Sequence, residues 1–120
     1  MKKVLIADDK ATGREMVRTV LEKCGYEVSE AADGLEAVQR AREVLPDLII
    51  LDLHMPALDG YGVVQELRGI PQFAATPIVA LTASAMQGDK EKALAFGFTS
   101  YISKPISLAL LRSELARLLP

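Results

Sequence analysis

The sequence predicts an α/β protein, a three-layer sandwich with helices on both faces of a five-stranded parallel sheet. Three observations carry that prediction. Short apolar runs alternate with longer amphipathic stretches along the whole 120-residue chain. Most of the short runs are continuous rather than alternating, as strands are when helices cover both faces. No repeat, low-complexity tract or linker interrupts the order. Such alternation builds parallel pairs through right-handed crossovers.

The elements follow in order. The strands are Val4 to Ala7, Tyr26 to Ala31, Leu48 to Leu51, Ile78 to Leu81 and Ser100 to Ile102, and the alternating Tyr26 to Ala31 run reads as an edge strand. Thr12 followed by Glu15 is a possible capping box ahead of Met16, Val17, Val20, Leu21 and Cys24, which share one helical face; Gly25 stops that helix. Asp33 and Glu36 offer a second start, for a helix carrying Leu35, Val38, Ala41 and Leu45, with Pro46 beyond its end. A third helix begins near Asp59 or Gly60 and ends at Gly69. The fourth, Ala85 to Phe96, has a weak apolar stripe and a polar middle, ends near Gly97, and is expected to be the most mobile. Ser107 opens the last, where Leu108, Leu111, Leu115 and Leu118 recur at helical spacing.

Composition narrows the function. A chain of this length, half of it hydrophobic, suits one domain over residues 1–120 with one core. With 14 basic against 16 acidic residues and no cluster of Lys or Arg, it lacks the electrostatic footprint of a nucleic-acid binder. Met1-Lys2-Lys3 runs into an apolar strand of roughly five residues, too short for a signal-peptide core or a membrane span. The single cysteine, Cys24, has no internal disulfide partner and reads as a small buried hydrophobe, which favours a reducing compartment; the expected location is cytoplasmic.

In open parallel sheets, sites form beyond the carboxyl ends of the strands, where strand order reverses. At those ends stand Asp8 and Asp9, Asp52, Thr82 and, just past the fifth strand, Lys104. Singly, each has a plainer reading: Asp8 and Asp9 as turn or cap residues, Thr82 as a β-branched strand residue, Lys104 as a solvated charge, Asp52 as the cap of a following turn. Their shared position argues against coincidence. Acids brought so close repel one another unless a cation neutralises them, and hard oxygen ligands of this kind suit magnesium. A lysine and a hydroxyl opposite would receive a phosphoryl group, and an aspartate is the natural nucleophile for an acyl phosphate.

These residues resemble the receiver domains of bacterial two-component response regulators. The likeness rests on Asp8-Asp9, on Asp52-Leu53-His54-Met55-Pro56 followed by Asp59-Gly60, on Ala80-Leu81-Thr82-Ala83 and on Lys104-Pro105, and spans essentially the whole chain. It implies a flavodoxin-like sheet of order 2-1-3-4-5. It implies that Asp52 is the phosphoacceptor, that Asp9 binds magnesium directly, that Asp8 acts mainly through metal-bound water, and that the backbone carbonyl of His54 is a further ligand. Thr82 and Lys104 would hold the phosphoryl oxygens, and the Lys104-Pro105 peptide is expected to be cis.

The implied partners are a histidine kinase or histidine phosphotransfer protein as donor and a downstream effector protein, with no direct nucleic acid and no membrane. After transfer, Thr82 would move toward the phosphoryl group and Tyr101 turn inward, remodelling the face of the fourth helix, fifth strand and fifth helix; plain packing is the rival reading of Tyr101. Moving such a switch from 1:99 to 99:1 takes about 5.5 kcal/mol. The side chain of His54, with Ser84, is assigned a modest influence on how water reaches the phosphoryl group. Lys10, and Thr99-Ser100 where acids are frequent in relatives, depart from the pattern without touching its chemistry.

The chain is expected to be a signalling phosphoacceptor rather than a turnover enzyme. An aspartate-nucleophile phosphotransferase or phosphatase would usually carry a second acid where His54 stands. A flavin or nucleotide binder would need glycines and amide donors where Asp8-Asp9-Lys10 stands.

Overall fold

The computed structural model describes residues 1–82 and 89–119. Its elements run β1 (Lys3–Ala7), α1 (Ala11–Lys23), β2 (Glu27–Ala31), α2 (Gly34–Val44), β3 (Leu48–Asp52), α3 (Gly60–Arg68), a 3-10 turn (Pro71–Phe73), β4 (Ile78–Thr82), α4 (Asp89–Phe96), β5 (Ser100–Ser103) and α5 (Leu108–Leu118). All neighbouring strands are parallel, in the order β2-β1-β3-β4-β5, so the run that alternates in sequence is an edge strand as expected.

Alternate residues of the central strands point to opposite faces and found two cores. Leu5, Ile49, Leu51 and Ile78 pack with Ala37 and Ala41 of α2, Val63, Val64 and Leu67 of α3 and Ala93 of α4. Val4, Ile6, Leu48, Ile50 and Leu81 pack with Val17, Val20 and Leu21 of α1 and Leu111 and Leu115 of α5. Every residue of β3 and β4 is buried, which explains their continuous apolar runs.

Three of the helix starts read from sequence are present. Asp33 accepts from the Glu36 amide, Asp59 from that of Gly62 and Ser107 from that of Leu110, each satisfying a first-turn donor. The start of α1 differs. Its cap position is Lys10, without a side-chain bond, so Thr12 lies inside the first turn and the Thr12–Glu15 box does not form. The Lys10 amide is taken by the carboxylate of Asp8 instead.

The helix faces are narrower than their apolar spacing suggests. Met16, Cys24, Leu35, Leu45 and Leu108 are exposed. Cys24 falls just past the last turn of α1, so it is not the buried hydrophobe expected. Leu45 lies beyond α2 in the left-handed region, with φ of 50°. On α2 the buried positions are Gly34, Ala37 and Ala41, because small side chains let the helix sit close to the sheet. The expected start of the fourth helix at Ala85 lies outside the described residues. Among the described residues, no helix is long and apolar enough to cross a membrane.

Candidate functional site

The chain leaves β1 toward β2 on one side and later crosses back to β3 on the other, so the strand order reverses between β1 and β3. Asp52 closes β3, and Asp8 follows directly on β1; the register pairs Ala7 with Leu51, which sets the two acids side by side. Both are almost wholly buried, at 2% exposure for Asp8 and 4% for Asp52, whereas Asp9 is exposed. Burying carboxylates is costly unless they are paired or hydrogen-bonded, and here each oxygen of the buried pair has a donor.

Asp52 Oδ1 accepts from the His54 amide at 3.0 Å, and Oδ2 from Lys104 Nζ at 2.9 Å. Asp8 Oδ1 accepts from the Lys10 amide at 2.9 Å, and Oδ2 from the same Lys104 ammonium at 3.3 Å. One lysine thus bridges the two acids. Burial alone would lower the pKa of Lys104, but its hydrogen bond to Asp52 and the charges of Asp52 and Asp8 outweigh it and hold the pKa above the ordinary lysine value.

Asp8, Asp9 and Asp52 each offer one oxygen, and the three lie within 4.8 Å of one another. Formally, three carboxylates against one ammonium leave a surplus of negative charge, which a divalent cation would match. The donor set is all oxygen, as magnesium prefers, and Asp9 is the solvent-exposed member of the three. The residues present therefore fit that metal.

Backbone contacts lock the surroundings. The Lys104 amide donates to the Thr82 carbonyl at 2.6 Å, tying the end of β4 to the loop after β5, and the Lys104-Pro105 peptide is cis as expected. Thr82 is buried at the carboxyl end of β4, one position past the Leu81 that pairs with Asp52. Behind the site, a Cβ on Gly60 would stand 2.7 Å from the Asp52 carbonyl oxygen, so α3 approaches the backbone of Asp52 only because that position is glycine. Beside Lys104 opens a cleft of about 300 Å³, lined by Gly13, Met16, Pro105 and Ile106 among others.

The fold thus joins Asp8, Asp52 and Lys104 by contact, places Asp9 within 4.8 Å of the other two acids and sets Thr82 on the same rim. His54 is exposed, and its amide rather than its ring touches Asp52. Tyr101 is half-buried, pairs with Ala80 in register and packs against the core beneath α2, α3 and α4. Ser84 lies outside the described residues. The sequence reading missed Arg14 and Glu30. Arg14 Nη1 donates to the Asp8 carbonyl and Nε to Glu30 on β2. Both read as surface charges on amphipathic elements; α1 turns Arg14 back onto Asp8, and the pairing of β2 with β1 brings Glu30 alongside it.

Residues 4–116 match the family described as the response regulator receiver domain. The polar-differentiation response regulator DivK of Brucella anthropi is 39% identical over 107 residues, covering 89% of this chain and 87% of DivK. Among solved structures, the chemotaxis response regulator CheY4 of Vibrio cholerae superposes with a TM-score of 0.93 at 39% identity, over 99% of each chain. The receiver domain of the sensor histidine kinase PA1611 of Pseudomonas aeruginosa PAO1, solved with a magnesium ion coordinated in its active-site cleft, gives 0.89 at 36% identity over 97% of this chain and 95% of that one. Sequence motifs, strand order and rim chemistry agree with these likenesses: the chain belongs to the receiver domains of response regulators.

Proposed function

We propose that residues 1–120 act as a signalling domain in which Asp52 accepts a phosphoryl group from a phosphohistidine on a histidine kinase or histidine phosphotransfer protein. A carboxylate oxygen of Asp52 attacks phosphorus, the P–N bond breaks with its electron pair leaving on the imidazole, and an acyl phosphate forms. The observation that carries this reading is the single ammonium, Lys104 Nζ, placed 2.9 Å from Asp52 and 3.3 Å from Asp8.

Lys104 keeps its charge beside the nucleophile and shifts its hydrogen bond from carboxylate to phosphoryl oxygen as negative charge develops there. Thr82 supplies a hydroxyl to another phosphoryl oxygen. Asp8, Asp9, Asp52 and the carbonyl of His54 would hold magnesium. When bound, the ion lets the crowded acids coexist and neutralises charge on the transferring group. The Asp52 carboxylate is held on both oxygens, so it meets the donor already oriented.

The product adds up to about two negative charges. Thr82 and Tyr101 are the proposed switch, passing that change to the α4–β5–α5 face and from there to an effector protein. The proposed setting is cytoplasmic. The chain acts as an acceptor rather than a turnover enzyme, its own chemistry limited to gaining and losing the phosphoryl group.

Incubation with acetyl phosphate and magnesium tests this. One phosphoryl group per chain, lost in Asp52→Asn, is the expected result. Repeated turnover of phosphoesters, or an adduct that survives Asp52→Asn, overturns it.

A further inference from the structure

The Asp8 backbone is clamped at both its amide and its carbonyl, and both clamps involve the edge strand β2. Its amide donates to the Ala31 carbonyl of β2 at 3.2 Å. Its carbonyl accepts from Arg14 Nη1 at 2.6 Å, and the same guanidinium donates through Nε to Glu30 Oε1 at 3.1 Å. Glu30 is the residue before Ala31, so one dipeptide of β2 grips both the amide of Asp8 and the arginine that holds its carbonyl. Glu30 Oε2 is in turn held by Arg18.

Two further features show that the turn of chain is built around Asp8. Gly13 lies in the first turn of α1, where glycine costs helix stability. A Cβ there would stand 2.9 Å from Asp8 Oδ2, so the position is cleared for the carboxylate. The Arg14 and Glu30 side chains are only 17% and 29% exposed. Burial would raise the pKa of Glu30, but the hydrogen bonds from Arg18 and Arg14 outweigh it and keep the carboxyl below its usual range. Glu30 is therefore a carboxylate at neutral pH, placed to accept from both arginines.

We propose that Arg14, oriented by Glu30, is a positioning residue for Asp8: by fixing the Asp8 carbonyl it sets the direction of the carboxylate and so the affinity of the acidic rim for a divalent cation. The inference rests on the reading of Asp8 as a cation-site residue. Arg14 donates to the Asp8 carbonyl and to Glu30 rather than to a carboxylate oxygen of the acidic rim. It acts as partners outside the ligand sphere do elsewhere, where their removal costs about 10–100-fold in metal affinity.

Magnesium titration calorimetry on R14M, E30Q, R18M and D8A, with amide exchange on the magnesium-free proteins, tests it. R14M is expected to weaken magnesium about tenfold, E30Q by a smaller factor, and R18M not at all, because the Arg14–Glu30 pair survives. In magnesium-free R14M the Lys10 amide, which Asp8 Oδ1 holds, should exchange faster than in the parent. A folded R14M with parental affinity and parental Lys10 exchange overturns the proposal, even if it melts lower. Should R14M not fold, E30Q decides by the same two readouts. If D8A itself keeps its magnesium affinity, the cation role of Asp8 is what fails, and Lys10 exchange still reports whether Arg14 positions Asp8.

Discussion

Lys104 and Arg68 are both cations drawn part-way into the protein, and they are held in opposite ways. Lys104 faces two carboxylates, and its pKa is raised. Arg68, at the end of α3, donates to the carbonyls of Gly97, Phe73 and Thr76 and to the Thr99 hydroxyl, and burial lowers its pKa. Carbonyl dipoles fixed in a backbone can go nowhere, so Arg68 is a fastener joining α3, the 3-10 turn, the end of α4 and the start of β5. Carboxylates proposed to take a phosphoryl group or a metal would give Lys104 alternative partners. A cation held by acids at a strand rim is available for chemistry; one held by main chain is committed to the fold.

The contrast breaks most readily at Lys104. Lys104→Met should slow labelling of Asp52 by acetyl phosphate roughly 100- to 1,000-fold at saturating magnesium, the size expected for losing a donor aimed at developing charge. Arg68→Met should leave that rate unchanged, and equal losses in both would erase the distinction. Stability should show the reverse. Arg68→Met strands several carbonyls and should cost on the order of 3 kcal/mol in urea unfolding.

Magnesium sharpens the comparison next. At a hundredfold excess over its dissociation constant it should stabilise the parent and Arg68→Met by about 2.7 kcal/mol. The double variant Asp8→Ala, Asp9→Ala should gain nothing; a retained gain would remove these acids from the cation site.

The smallest effect is in pH. The folded pKa of Lys104 lies above its ordinary value of 10.5, so its contribution to stability is complete below that value and fades as pH rises through the raised one. The urea midpoints of the parent and Lys104→Met should therefore stay apart below about pH 10.5 and converge only as pH rises above it, in magnesium-free buffer. A constant gap would show that the ion pair with Asp52 and Asp8 does not set the difference.

The Lys104 half of this contrast is legible in sequence and the Arg68 half is not. Asp52 follows four apolar residues that read as a covered strand, and Lys104 precedes a proline just past the last strand, so the predicted topology carries both to one rim. Arg68 in the last turn of a helix reads as an ordinary surface charge, because its acceptors are backbone atoms whose direction no side-chain pattern records. The same limit hid Arg14, whose partners are the Asp8 carbonyl and a residue of β2. Helix faces fail differently. Leu35 and Cys24 sit at spacings that suggest burial, but α2 seats itself on the sheet through Ala37 and Ala41, and α1 ends before Cys24.

The bond from the Lys104 amide to the Thr82 carbonyl has a consequence for motion. It joins the main chains of the two residues proposed to grip the transferred group, so neither can be displaced far without carrying the other. Thr82 can answer a new charge by turning its side chain, whereas a larger excursion must drag the turn leading into α5. A rearrangement that begins at the end of β4 would reach the turn into α5 through this hydrogen bond as well as through the β4–β5 ladder.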